Sequence, residues 1–176
     1  MKKPANLIAV DGANGRALLA VAQRLTRGTK PAARLSQWDA SGVFEQLLLD
    51  PDGDERLSPR LLLLLFAADL AFRLRWEITP LLASGRPVVA APYVDTAIAF
   101  GRACDLPAEW LEKLFAFAPR PGTQEIVDKA VAASARSGGF VEFACARLRP
   151  KERRRVAAAT RKTLSRPRSR QARRRR

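Results

Sequence analysis

Histidine is absent from this sequence of 176 residues, and cysteine occurs only twice. Cys104 and Cys145 form no C-x-x-C pair, so neither a zinc site nor a histidine-based catalytic triad is supported. We therefore expect no metal site. We also expect both cysteines to be reduced and structural.

Apolar runs long enough to cross a membrane are also missing. The run from Leu61 to Ala68 is followed by Asp69 and Arg73, and it falls well short of the ~20 residues that a transmembrane helix needs. The short apolar segment before Asp11 is too small for a signal peptide. These features predict a cytoplasmic protein without a membrane span.

Positive charge is concentrated at the C-terminal end. Residues 147–176 contain 15 lysines and arginines and one acid, Glu152, so they carry +14 of the formal net charge of +15. The rest of the chain is nearly neutral, and the hydrophobic content of 47% is enough for a core. We predict one α/β domain over residues 1–149. Residues 150–176 are predicted to form an arginine-rich, largely disordered tail, at most transiently helical around Arg153–Thr163.

Two interpretations of this tail stay open. Arginine clusters attract phosphate backbones regardless of base sequence, so the tail predicts non-specific binding of nucleic acid or another polyanion. The same arginine-, alanine- and proline-rich composition is typical of out-of-frame translation of a GC-rich gene, which makes a frameshifted end the alternative.

The N-terminal segment predicts a strand, a glycine turn and a helix. Leu7–Val10 is apolar, and a helix is expected from Arg16 to about Arg27. A turn that leads into a helix N-terminus can hold an anion, because the first N–H groups of the helix are unpaired. The candidate phosphate-binding residues are Gly12, Asn14, Gly15 and Arg16, and Asp11 and Arg16 are weak catalytic candidates. A tight turn that only joins a strand to its packed helix is the alternative.

The middle of the chain predicts a long buried helix and a central strand. Ser58 and Pro59 are typical of a helix start, and the run Leu61–Ala68 is apolar on every side. The helix is expected to end at Gly85, and Val88–Ala91 has no polar face, as in a central parallel strand. We predict a three-layer fold with a short parallel sheet flanked by helices.

Other segments give weaker patterns. A strand is expected near Ala33–Leu35, and Phe140–Cys145 alternates enough to be added as a further strand. Thr123–Arg136 has the spacing of an amphipathic helix.

The order of LLLDP, LSPR, LLLFAAD, a long helix, GRPVV and YVDTAIAF resembles the thymidylate kinase family. The resemblance covers about residues 5–118 and runs nearly without gaps from Leu47 to Gly101. It implies a P-loop NTPase fold and transfer of the γ-phosphoryl group of ATP to dTMP. ATP and Mg²⁺ would be needed only if that activity is retained. The resemblance also implies a homodimer, since such kinases pair through their long helix.

The chain departs from the family at its charged positions. The residues that would supply the phosphate-loop lysine and hydroxyl are missing after Asn14-Gly15. Ala91-Pro92 stands where the family has Asp-Arg, and Leu70 stands where it has an arginine. The nucleoside pocket that the resemblance implies would consist of Phe66, Tyr93, Asp95, Thr96 and Phe100. Core packing, or capping of the next helix, is the alternative role of these five side chains.

Three functions follow from these observations. The leading prediction is a thymidylate-kinase-like protein that is catalytically impaired or inactive, because the groups that neutralise a transferring phosphoryl group are missing together. An active dTMP kinase that uses Arg16 and Asp11 as substitutes is the first alternative. A nucleic-acid-binding protein that acts through its tail is the second.

Overall fold

A computed structural model describes residues 6–48, 57–127 and 139–165. The strands are β1 (Leu7–Gly12), β2 (Arg34–Gln37), β3 (Val88–Ala91) and β4 (Thr123–Val127). The helices are α1 (Gly15–Gly28), α2 (Val43–Leu48), α3 (Pro59–Arg73), α4 (Thr79–Ala83), α5 (Val94–Ala103), α6 (Ala108–Leu114), α7 (Phe140–Ala146) and α8 (Pro150–Leu164). A π-helical turn, Leu74–Ile78, joins α3 directly to α4.

The strands form one parallel sheet in the order β2-β3-β1-β4. Leu7 in β1 lies opposite Val88 in β3, and Ile8 lies opposite Thr123 in β4. Every residue of β1 and β3 is buried, because these strands are covered on both faces. The prediction of a parallel α/β sheet with Val88–Ala91 inside it and paired with β1 is confirmed.

Helices cover both faces of the sheet and give the fold three layers. Alternate residues of β1, such as Ile8 and Val10, pack with Leu18 of α1 on one face. Leu7 and Ala9 point to the other face, where α3, α5, α7 and α8 contribute to the larger core. None of the helices in the described part of the chain combines the length and apolarity that a membrane crossing requires.

The fourth strand is Thr123–Val127, so two predictions made for the C-terminal third are wrong. Residues 123–127, expected to be helical, pair with β1, and their polar side chains are tolerated because β4 is an edge strand. Residues 128–136 of that expected helix lie outside the described residues. Phe140–Cys145, expected to be a strand, is helical because Phe140, Phe143 and Ala144 have helical spacing on one buried side.

The start of the arginine-rich segment is an ordered helix, so the expectation of at most a transient helix there is wrong. Val156, Thr160 and Leu164 recur every four residues and are buried, forming a stripe along α8, which packs mainly on α5. Arg155 also contacts Asp105 at 3.2 Å. Charged residues face outward, so their number does not prevent folding. The division of the chain at residue 149 stays a prediction, and residues 166–176 lie outside the described residues.

Candidate functional site

The topology of the sheet places a crevice between the ends of β1 and β3. From β1 the chain crosses to β2 on one side, and from β3 it crosses to β4 on the other. Ligands of open parallel sheets bind at such a switch point, beyond the carboxyl ends of the strands. A cleft of about 350 Å³ lies there, lined by the β1–α1 turn, the ends of β2 and β3, and the start of α7. Arg16 is the one charged residue among the described residues that line it.

The four predicted phosphate-binding residues lie together in the β1–α1 turn, but three of them bond to the protein itself. The Gly12 N–H donates to the Thr96 hydroxyl at 3.1 Å, and the Asn14 side chain accepts from Ala17 N as the N-cap of α1. The Gly15 N–H donates to a carboxylate oxygen of Glu142 at 3.3 Å. Arg16 is exposed at the cleft.

Glu142 was not among the predicted site residues, although its spacing from Gly139 gives a local signal. The same oxygen, Oε2, accepts from the Gly139 N–H at 3.0 Å, so Glu142 caps its own helix as well as contacting Gly15. A Cβ atom at Gly139 would lie 2.6 Å from the Gly15 Cα atom. The start of α7 therefore lies directly against the β1–α1 turn.

Asp11, a weak catalytic candidate, is fully buried beside the first turn of α5. Its Oδ1 atom accepts from the Tyr93 and Thr96 N–H groups at 3.0 and 2.9 Å and from the Thr96 hydroxyl at 2.8 Å. Burial raises the pKa of the Asp11 carboxyl, and the nearby charge of Asp95 acts in the same direction. These contacts tie β1 to α5, and Asp11 is not among the residues that line the cleft.

The predicted nucleoside-pocket residues are divided between two places. Phe66 and Phe100 are completely buried, and the Phe140 ring lies 4.5 and 5.4 Å from their ring centroids. Neither ring is among the residues that line the cleft.

Tyr93, Asp95 and Thr96 lie at the other place, around the start of α5. The Tyr93 hydroxyl donates to the Pro119 carbonyl at 2.8 Å, and burial raises the pKa of Tyr93 to about 12. The Asp95 carboxylate accepts from the Gln124 side chain at 2.9 Å and borders a second cleft of about 510 Å³. The N–H groups of Tyr93 and Thr96 at the start of α5 donate to Asp11, so both the pocket role and the capping role of this group stay predictions.

A buried ion pair next to the cleft was also not predicted from the sequence. Arg73 Nε and Asp69 Oδ2 are 3.0 Å apart and both side chains are fully buried. This N–H is not aligned for a hydrogen bond, so the contact is ionic, while both terminal nitrogens of Arg73 donate to the Pro92 carbonyl at 3.1 Å. Burial lowers the pKa of Arg73, and the Asp69 charge opposes that effect. The D-x-x-x-R spacing inside an apolar helix was the available signal.

Comparison with known proteins defines the family. The chain is 37% identical over 84 residues to a probable thymidylate kinase of Pyrococcus abyssi. This alignment covers 46% of this chain and 41% of that protein. It is 30% identical over 138 residues to a probable thymidylate kinase of Pyrococcus horikoshii, covering 65% of this chain and 67% of that protein. The chain belongs to the thymidylate kinase family. The resemblance predicted from the sequence is thereby confirmed.

Other comparisons agree with this membership. A thymidylate kinase of Xanthomonas oryzae pv. oryzae is 32% identical over 130 residues, 69% of this chain and 55% of that protein. The crystal structure of thymidylate kinase from Ehrlichia chaffeensis shares the fold, with a TM-score of 0.58, 18% identity, and coverage of 71% of this chain and 72% of that chain. No family model matches the chain. The sequence matches span 41% to 67% of the length of the Pyrococcus and Xanthomonas relatives.

Proposed function

We propose that this thymidylate-kinase family member has little or no dTMP kinase activity. The observation that carries the proposal is the composition of the cleft, where Arg16 is the one charged residue among the described lining residues. Phosphoryl transfer leaves little covalent chemistry to the protein, so catalysis depends on positive charge and metal placed around the transferring group.

The residues at the cleft do not fit Mg²⁺ and ATP. Leu18 and Leu19 line it in the first turns of α1, and Ala91 and Pro92 line it at the end of β3. No group of three acidic or cysteine side chains in residues 6–48, 57–127 and 139–165 could hold a metal ion. Removal of one preorganised electrostatic contact typically costs ~10²–10³ in rate. The absence of several such contacts from this cleft should therefore place turnover below detection.

A coupled ADP-release assay tests this proposal. Purified protein is supplied with saturating ATP, Mg²⁺ and dTMP, beside an Arg16→Ala variant and an Arg27→Ala control from the exposed side of the same helix. We expect all three rates to equal the rate without protein. Turnover within tenfold of the ~10 s⁻¹ typical of enzymes, lost in Arg16→Ala but not in Arg27→Ala, would establish the alternative of an active kinase.

A second candidate function, non-specific binding of nucleic acid or another polyanion, is supported by the outer face of α8. Arg154 and Arg161 are exposed two turns apart on one side of α8, away from the buried stripe. We expect retention on heparin at low salt, with a clearly lower elution salt for the double variant Arg154→Glu and Arg161→Glu. Unchanged elution of that variant would exclude α8 as the binding surface.

We include a homodimer and a cytoplasmic location in the proposal. The continuous helix formed by α3, the π-helical turn and α4, called the α3–α4 rod, has exposed apolar side chains on its outer side. Leu64 and Trp76 are 49% and 66% exposed there, and Leu61 and Phe72 are exposed as well. Burial of such side chains against a second copy would stabilise a dimer. The location is supported by the free state of Cys104 and Cys145.

A further inference from the structure

We propose that the start of α7 is a built-in plug of the N-terminus of α1, at the crevice between β1 and β3, where it keeps phosphate-bearing ligands away from the Gly15 N–H. The proposal goes beyond the loss of activity, because it identifies the group that occupies the N-terminus of α1 and predicts that anion binding can be uncovered. Two independent sets of contacts, one electrostatic and one apolar, carry it.

The electrostatic contact is the carboxylate of Glu142. Its Oε2 atom lies 3.3 Å from the Gly15 nitrogen in the first turn of α1, a helix of 14 residues. The N-terminus of a helix favours negative charge, since its first N–H groups are unpaired and the helix dipole is positive there. A phosphate group at Gly15 would have to displace this carboxylate or accept its repulsion.

The backbone of α7 touches the β1–α1 turn directly at one wall of the cleft. A Cβ atom at Gly139 would lie 2.6 Å from the Gly15 Cα and 2.9 Å from the Gly15 nitrogen. The absence of a side chain at residue 139 is therefore what allows the two backbones to touch. A phosphate in the cleft could reach the Gly15 N–H only by replacing the Glu142 carboxylate that accepts from it.

The apolar contact is the ring of Phe140, which holds α7 in place. Phe140 is 1% exposed, and its centroid lies 4.5 Å from that of Phe66 and 5.4 Å from that of Phe100. At the other end of α7, an Arg147 nitrogen donates to the Leu47 carbonyl at 3.1 Å. The carboxylate is thus positioned by contacts that do not depend on it, so it can be removed without removing the anchor.

The test is isothermal titration of the full chain with pyrophosphate at physiological salt. The native protein is compared with Glu142→Ala and with Glu109→Ala, which removes an equal charge from an exposed surface pair with Lys113. We expect the native chain and the control to bind equally weakly, and Glu142→Ala to bind at least about tenfold more tightly. Equal affinities for Glu142→Ala and Glu109→Ala would overturn the proposal.

A second variant keeps the test decisive if the alanine variant does not fold. Glu142→Gln keeps the shape of the side chain and removes its charge, so we expect a gain of the same sign over Glu109→Ala. Failure of this folded variant to exceed the control would overturn the proposal. A native chain that binds pyrophosphate as tightly as the Glu142 variants would refute the plug and leave the proposed loss of activity standing. Turnover by the native chain in the ADP-release assay would instead refute that loss of activity.

Discussion

Replacement of Phe140 by alanine should destabilise the whole domain, because this ring, together with that of Phe143, connects α7 to the aromatic core. The ring is 1% exposed and contacts the rings of Phe44, Phe66 and Phe100 at centroid distances of 6.1, 4.5 and 5.4 Å. Loss of the buried side chain costs up to about 3 kcal/mol in transfer free energy. The cavity that remains adds about 1–2 kcal/mol, which gives an expected cost of about 4 kcal/mol.

Urea unfolding followed by far-UV circular dichroism measures this cost. Thermal unfolding followed by the same signal is a second measure. At about 2–4 °C per kcal/mol for a chain of this size, the melting temperature should fall by roughly 8–16 °C. Phe117→Ala is the matched control, since this ring is 47% exposed and its loss should cost under ~1 kcal/mol. A cost under about 1 kcal/mol for Phe140→Ala would show that α7 does not pack on the core as described.

Three further predictions concern other parts of the molecule. Tyr93, the only tyrosine of the chain, should titrate near pH 12 in an absorbance measurement, against its ordinary value of 10.0. The unfolded chain loses the Tyr93 proton at lower pH than the folded chain, so the free energy of unfolding should fall by up to about 2 kcal/mol as pH rises from 10 to 12. Titration of Tyr93 near pH 10 in the folded protein would contradict its burial. Arg73→Met leaves Asp69 buried without its cation and should cost about 3–5 kcal/mol by urea unfolding, whereas a cost below 1 kcal/mol would refute the role of the pair. Trp76→Lys should convert a dimer to a monomer in light scattering, and an unchanged mass would argue against pairing through the α3–α4 rod.

Local patterns were sufficient to predict the centre of the fold. β3 has no polar residue in a stretch between a helix stop and a turn, so its place inside a parallel sheet followed from its composition. The start of α3 followed from Ser58, whose side chain accepts from Leu61 N at 3.2 Å, as the cap pattern requires. The β1–α1 turn was located for the same reason, with Asn14 as the cap of α1.

The C-terminal third could not be predicted in this way, because its structure depends on distant partners. β4 is polar and short, and its pairing with β1 decides its conformation rather than its helical spacing. The buried stripe of α8 is only Val156, Thr160 and Leu164 among many cations. The hydrogen bond between Gly15 and Glu142 joins residues 127 positions apart, so no local pattern at the turn could show that a carboxylate lies against it.

Amide NMR of the full chain, with the signal of Gly15 followed during a titration with Mg²⁺–ATP and dTMP, is the most direct test of whether a nucleotide reaches the N-terminus of α1. If the Glu142 carboxylate holds this N–H as the geometry shows, the Gly15 signal of the native protein should not move at millimolar nucleotide. The same signal should shift in Glu142→Ala. A saturable shift of the Gly15 signal in the native chain would show that nucleotide reaches the turn although α7 is in place. This result would contradict the proposal that the Glu142 carboxylate keeps phosphate away from the Gly15 N–H.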